Sequence, residues 1–126
     1  VQVLVTLISS DKEVMPDALA CLAASAALAV SDIPIKEVIS EVRVARVAGQ
    51  YVVNPTRTEL AKADMDYIVA ATEKNLMMVE GESKECSEED LVQVLQIAHD
   101  AIRVQIAAQH ALREKKGVTG KRDYTK

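Results

Sequence analysis

The stretch from Pro16 to Val30, PDALACLAASAALAV, limits most what this chain can become. Seven of the residues from Ala18 to Ala29 are alanine, and most of the others are Leu, Cys or Ser. Alanine has the highest intrinsic helix propensity. Pro16 is tolerated at a first helical position, where its missing N–H would be unpaired anyway, and Asp17 suits the positive end of the helix dipole. Beyond Asp17 and Ser25 no face is polar, so the pattern predicts a helix apolar all round, which has to be covered on most sides. Roughly fifteen residues cannot cross a bilayer, which takes about 20. Ser31, Asp32 and Pro34 end the helix. Within it Cys21 is expected as a small core hydrophobe, and Ala24→Leu or Ala27→Leu is expected to overpack the site.

A chain of 126 residues points to one domain, and a hydrophobic share of 49% is enough for a core, which excludes a disordered chain. Cys21 and Cys86, the latter in a polar link, make neither a disulfide framework nor a CxxC metal spacing, so a reducing compartment is expected. The formal net charge of −4 argues against broad electrostatic capture of nucleic acid. Three tyrosines with no Phe or Trp leave little on which a base could stack. No charged-then-apolar leader is read at the start, and a cytoplasmic location is expected. The chain begins at Val1 in the middle of an apolar run, so it is expected to be a piece of a longer protein.

That run, VQVLVTLIS from Val1 to Ser9, is apolar on both alternating faces and predicts a central strand covered on both sides. From Val38 to Val53 apolar residues alternate with Glu41, Arg43 and Arg46 and stop at Ala48-Gly49-Gln50, which predicts a hairpin with one solvated face. Pro55 breaks the second strand, and Thr56-x-x-Glu59 fits a capping box for a short helix from Thr56 to Ala63. Met65 to Thr72 and Leu76 to Glu82 flank Glu73-Lys74-Asn75 as a second hairpin, with Met77 and Met78 as core filler and strand surface. A long helix starts at Ser87, with Glu88, Glu89 and Asp90 in its first turn. Its apolar stripe runs through Leu91, Val94, Leu95, Ala98, Ala101, Ile102, Ala108 and Leu112, with Gln109 on the polar side. Lys115, Lys116 and Gly117 close it. His99 and His110 show no ligand spacing and are expected to be solvated or satisfied locally. The tail VTGKRDYTK has no periodicity and is expected to lead onward or fray. The fold class is α+β, in the order β-α-ββ-short α-ββ-α, with a mostly antiparallel sheet packed by two helices.

Three collinear blocks say more. DALACLAASAALAVSDIP (17 to 34), VRVARVAGQYVVNPT (42 to 56) and MDYIVAATEKNLMMVEGES (65 to 83) closely resemble the first ribonuclease PH-like core of the bacterial polynucleotide phosphorylase family. Residues 1–116 are similar to the second half of that core, and 117–126 to the start of the linker into the all-helical domain that follows. Ala23 and Ala71 stand where many members carry Gly. The resemblance implies a parent with polyribonucleotide nucleotidyltransferase activity, a phosphorolytic 3′-5′ exoribonuclease that turns RNA and phosphate into nucleoside diphosphates. It also implies a ring-shaped homotrimer, Mg2+ as the parent's cofactor, and no membrane partner. The family's phosphate- and metal-binding residues belong to its second core.

Active copies of the core place two acids and a lysine in a D-x5-D-x-K pattern, because a divalent cation needs hard oxygen ligands beside the attacked phosphodiester. Here Asp66 matches the second acid, but Leu60 stands at the first and Ile68 at the lysine, and Val79 sits where active copies tend to carry another acid. Asp66 is thus a vestigial metal-site position. This segment is expected to have no catalytic residue, to bind no Mg2+ by itself, and to serve as a non-catalytic, ring-building half-core. Its substrate-binding residues are not identified by the sequence. Asp64 and Asp66 are better read as a polar, cap-like pair of acids at the start of a strand. No Gly-rich phosphate loop and no Ser/His/Asp order is found. The alternatives are a non-catalytic scaffold subunit of an exosome-like ring and a stand-alone α+β domain that binds a small molecule. With part of its core absent, the chain is expected to self-associate or to belong within a larger fold.

Overall fold

The computed structural model describes residues 1–124. Seven elements follow in chain order: α1 (Asp17–Val30), β1 (Ser40–Val47), β2 (Gln50–Val53), α2 (Arg57–Leu60), β3 (Met65–Ala71), β4 (Leu76–Ser83) and α3 (Glu88–Lys116). The strands form one antiparallel sheet in the order β2-β1-β3-β4. The α+β class therefore stands, with both hairpins where the alternation put them.

Local chemistry explains each junction. Ala48 and Gly49 form the two-residue turn of the first hairpin with φ of 49° and 78°, the pair of positive values that matches the strands' twist. Asn54, also at positive φ, closes β2 by accepting the Arg43 N–H on its side-chain oxygen at 3.0 Å. The capping boxes at Thr56/Glu59 and Ser87/Asp90 are both formed, and Gly117 ends α3 in the left-handed region. Gly81 lies opposite Tyr67, where a Cβ would come within 2.3 Å of the Asp66 carbonyl oxygen. Only glycine lets β4 pair there.

The core lies on one sheet face. Val42 and Val44 of β1 and Met65, Val69 and Ala71 of β3 meet Val94, Ala98, Ile102 and Ile106 of α3, with Ala29 of α1 and Val38 completing the cluster. Each fully buried aliphatic side chain of this size contributes about 1.5–3 kcal/mol.

Several expectations do not hold. Val1 to Ser9 forms no strand and is exposed, Ile8 to 95%. A strand apolar on both faces needs two covering layers, and the described residues do not supply them around Val1 to Ser9. The same shortage exposes α1. It packs on β1 and α3 but buries only Ala18, Ser25 and Ala29, while Leu19 is 47% exposed and Ala23 and Ala27 are open. The expected overpacking at Ala27 therefore has no structural basis. The helix also starts one residue late, with Pro16 at its N-cap. Met77, at 63%, is surface rather than core filler, because β4 is a sheet edge. On α3 the buried stripe continues through Ile106 and Gln109, while Ala108 and Leu112 are exposed. Positions 102, 106 and 109 follow the helical period, so Gln109 faces α1 and not solvent. It accepts from Ser25 Oγ at 2.7 Å and donates to the Ile39 carbonyl at 2.8 Å, and Ser25 Oγ accepts the Ile39 N–H.

Candidate functional site

The sequence pointed to the start of β3, and two arginines of β1 organise that region. Arg43 and Arg46 stand three apart on the strand and serve opposite faces of the sheet. Arg46 lies beside Asp64 and the first turn of α3. Its Nε and Nη2 donate to the two Asp64 carboxylate oxygens at 2.8 and 3.1 Å, and its Nη1 reaches Asp90 at 3.0 Å. Tyr51 Oη donates to Asp90 at 3.1 Å. The Ser87 backbone N–H, then Arg46, holds the Asp90 carboxyl down to about 2. Arg46 also holds Asp64 below its ordinary value.

Arg43 bridges α1 and β3. One nitrogen donates to Asp66 at 2.6 Å and the other to Asp17. Burial works to raise the Asp17 carboxyl, but the Arg43 hydrogen bond and the Ala18 N–H outweigh it and the net shift is downward. Beside this bridge Cys21 lies next to Glu41. Burial, then the nearby Glu41 charge, pushes the Cys21 thiol up to about 11, so it stays protonated and unreactive.

Asp66 and Leu60 come together in one polar hollow of about 230 Å3, with Asp64, Glu82 and Lys84 on its wall, while Ile68 lies outside it. Val79 is on β4 opposite Val69. A divalent cation would meet two carboxylates already bound by guanidinium groups, an aliphatic side chain at the first acid's position, and the exposed Glu82. Among the described residues no group of three His, Cys, Asp or Glu side chains is arranged to hold a metal. The residues present do not fit the cation.

The sequence read Arg43 and Arg46 only as solvated interruptions of a strand. Their pairing with Asp17, Asp64, Asp66 and Asp90 was missed, because the acids lie 18 to 44 residues from the nearer arginine. His99 is satisfied locally, its Nε2 lying 3.0 Å from the Thr72 carbonyl oxygen, and His110 is exposed.

Comparison with known proteins agrees with this architecture. Residues 37–101 match the model of the 3′ exoribonuclease family, domain 2. The chain is 60% identical to the polyribonucleotide nucleotidyltransferase of Phocaeicola vulgatus, 57% to that of Bacteroides fragilis and 49% to that of Cytophaga hutchinsonii, over 98% of its own length in each case. It spans 17 to 18% of the length of these relatives. With the three sequence blocks, the antiparallel sheet backed by α3 and a domain match centred on that sheet all in agreement, the chain belongs to the 3′ exoribonuclease family, and residues 37–101 are its domain 2.

Proposed function

We propose that this chain is a non-catalytic half-core of a phosphorolytic 3′-5′ exoribonuclease, a segment that builds the ring in which a sister core degrades RNA to nucleoside diphosphates. The observation that carries this reading is the guanidinium of Arg43 on Asp66. A carboxylate neutralised from within the fold does not hold a catalytic cation, and the flanking Leu60 and Ile68 offer neither ligand nor ammonium. In this reading Mg2+, phosphate and RNA act elsewhere in a cytoplasmic homotrimer, residues 1–116 complete the first core, and the segment from 117 leads to a helical domain. Residues 125 and 126 of that segment lie outside the described residues. The great length of the matching relatives favours this over a single-core scaffold subunit.

The test uses the full-length protein. Asp66→Asn, checked for folding by its thermal melt, is expected to leave both the rate of nucleoside diphosphate release and the magnesium requirement unchanged. The isolated 126-residue chain is expected to release none. A raised magnesium requirement in a folded Asp66→Asn protein, or phosphorolysis by the isolated chain, overturns the proposal.

A further inference from the structure

The carboxyl end of α1 satisfies only one of its last carbonyls locally: the Ser31 N–H and Oγ donate to Leu28 at 3.3 and 2.8 Å. It has no basic residue in its last turn, and its C-cap, Ser31, is extended rather than left-handed. The remaining partners come from the other end of the chain. Lys121 Nζ donates to the carbonyl oxygens of Leu28 at 2.8 Å, Ala29 at 3.1 Å and Ser31 at 2.7 Å. One ammonium thus uses all three of its donors on one helix terminus. The next residue repeats the link twice: the Arg122 backbone N–H donates to the Asp32 carbonyl at 2.8 Å, and its guanidinium reaches the Asp32 carboxylate at 2.5 Å.

We infer that residues 118–122 are a charge-locked strap, in which Lys121 is the C-terminal cap of α1 and Arg122 the clasp on Asp32. The strap makes the direction in which the chain leaves α3 dependent on α1, and the last turn of α1 dependent on the strap. Two physical points support the locking role of charge. A cation at this end of a helix is favoured by the dipole as well as by the hydrogen bonds. The ammonium is also held there against a desolvation cost: burial, then the neighbouring Arg113 of α3, lowers the Lys121 pKa, while Asp32 opposes them. Acylation of the amine removes the charge and two of its three donors, and deprotonation removes the charge and one of them. The strap needs neither ring nor catalysis, so it stands or falls apart from the functional proposal above.

Hydrogen exchange in the full-length protein, read on peptides covering 28–34 and 117–124, tests the strap. Lys121→Met keeps the length of the side chain and loses the charge. It is expected to speed exchange of the Arg122 amide and the last turn of α1 by roughly tenfold, the scale of a lost charged hydrogen-bond cluster. Lys121→Arg, which keeps the charge, is expected to restore most of the protection. Unchanged exchange in Lys121→Met, or equal loss of protection in Lys121→Met and Lys121→Arg, overturns the strap.

Discussion

The two long helices differ in what they bury. α1 is the more apolar, yet its buried residues are only Ala18, Ser25 and Ala29; α3 is strongly charged, yet it buries Val94, Ala98, Ile102, Ile106 and Gln109 and supplies four of the eleven residues of the core cluster. The difference lies in what each helix meets. α3 lies along a sheet face whose alternating side chains fit it, whereas α1 and the unpaired Val1 to Ser9 run line a groove of about 620 Å3 with their apolar side chains open to solvent. Apolar composition states what a segment needs; burial depends on a complementary surface being present. The sharpest way to break this comparison is to truncate one residue on each helix. Ile102→Ala should destabilise by about 2–5 kcal/mol, the range for an aliphatic truncation in a closed core, whereas Leu19→Ala should stay within about 0.5 kcal/mol, as at an open surface position. Urea midpoints measure both, and equal shifts would show that α1 is as well covered as α3.

A smaller effect separates the polar seam between the helices from the apolar core beneath it. Gln109→Leu leaves the Ile39 carbonyl without its donor and Ser25 Oγ without its acceptor; the Ile39 carbonyl is only part-buried and regains water, so the total cost is about 1–3 kcal/mol. Adding Ser25→Ala should recover part of the loss, because it removes one of the stranded groups. A neutral Gln109→Leu in the urea midpoint would mean that the seam carries no specificity. The substitution also marks where sequence reading stopped. Spacing alone places 109 on the buried side of α3, but the apolar stripe was traced through Ala108 and Leu112, since a glutamine among alanines reads as solvated. Its partner Ser25 lies 84 residues away on another helix.

The hairpins, the Thr56/Glu59 capping box, the start of α3 at Ser87 and the Gly117 stop were legible because each is written within a few consecutive residues. The candidate site was legible only in part. The missing acid at Leu60 and the missing lysine at Ile68 could be read directly, whereas the reason that Asp66 is unavailable could not, since Arg43 belongs to a neighbouring strand and also serves Asp17 of α1. Pairing of this kind depends on strand register, and register is a property of the whole sheet.

The smallest expected effect compares the first turns of the two helices through acid titration. Asp17 on α1 and Asp90 on α3 both have carboxyls held below the ordinary 3.8, Asp90 at about 2. A depressed acid contributes stability that is fully present above its unfolded value and is lost as the pH falls toward its folded value. Both helices should therefore be unaffected near neutrality and weaken below roughly pH 4, with the α3 contribution persisting to about pH 2. Arg46→Met removes the second-largest cause of the Asp90 shift and the largest cause of the Asp64 shift, while the capping bond from the Ser87 N–H remains. The variant's urea midpoint should thus fall less steeply between roughly pH 4 and 2 than that of the native chain. An identical slope in the two proteins would show that the cap alone sets Asp90, and that α3 owes its acid resistance to its own first turn and not to the sheet.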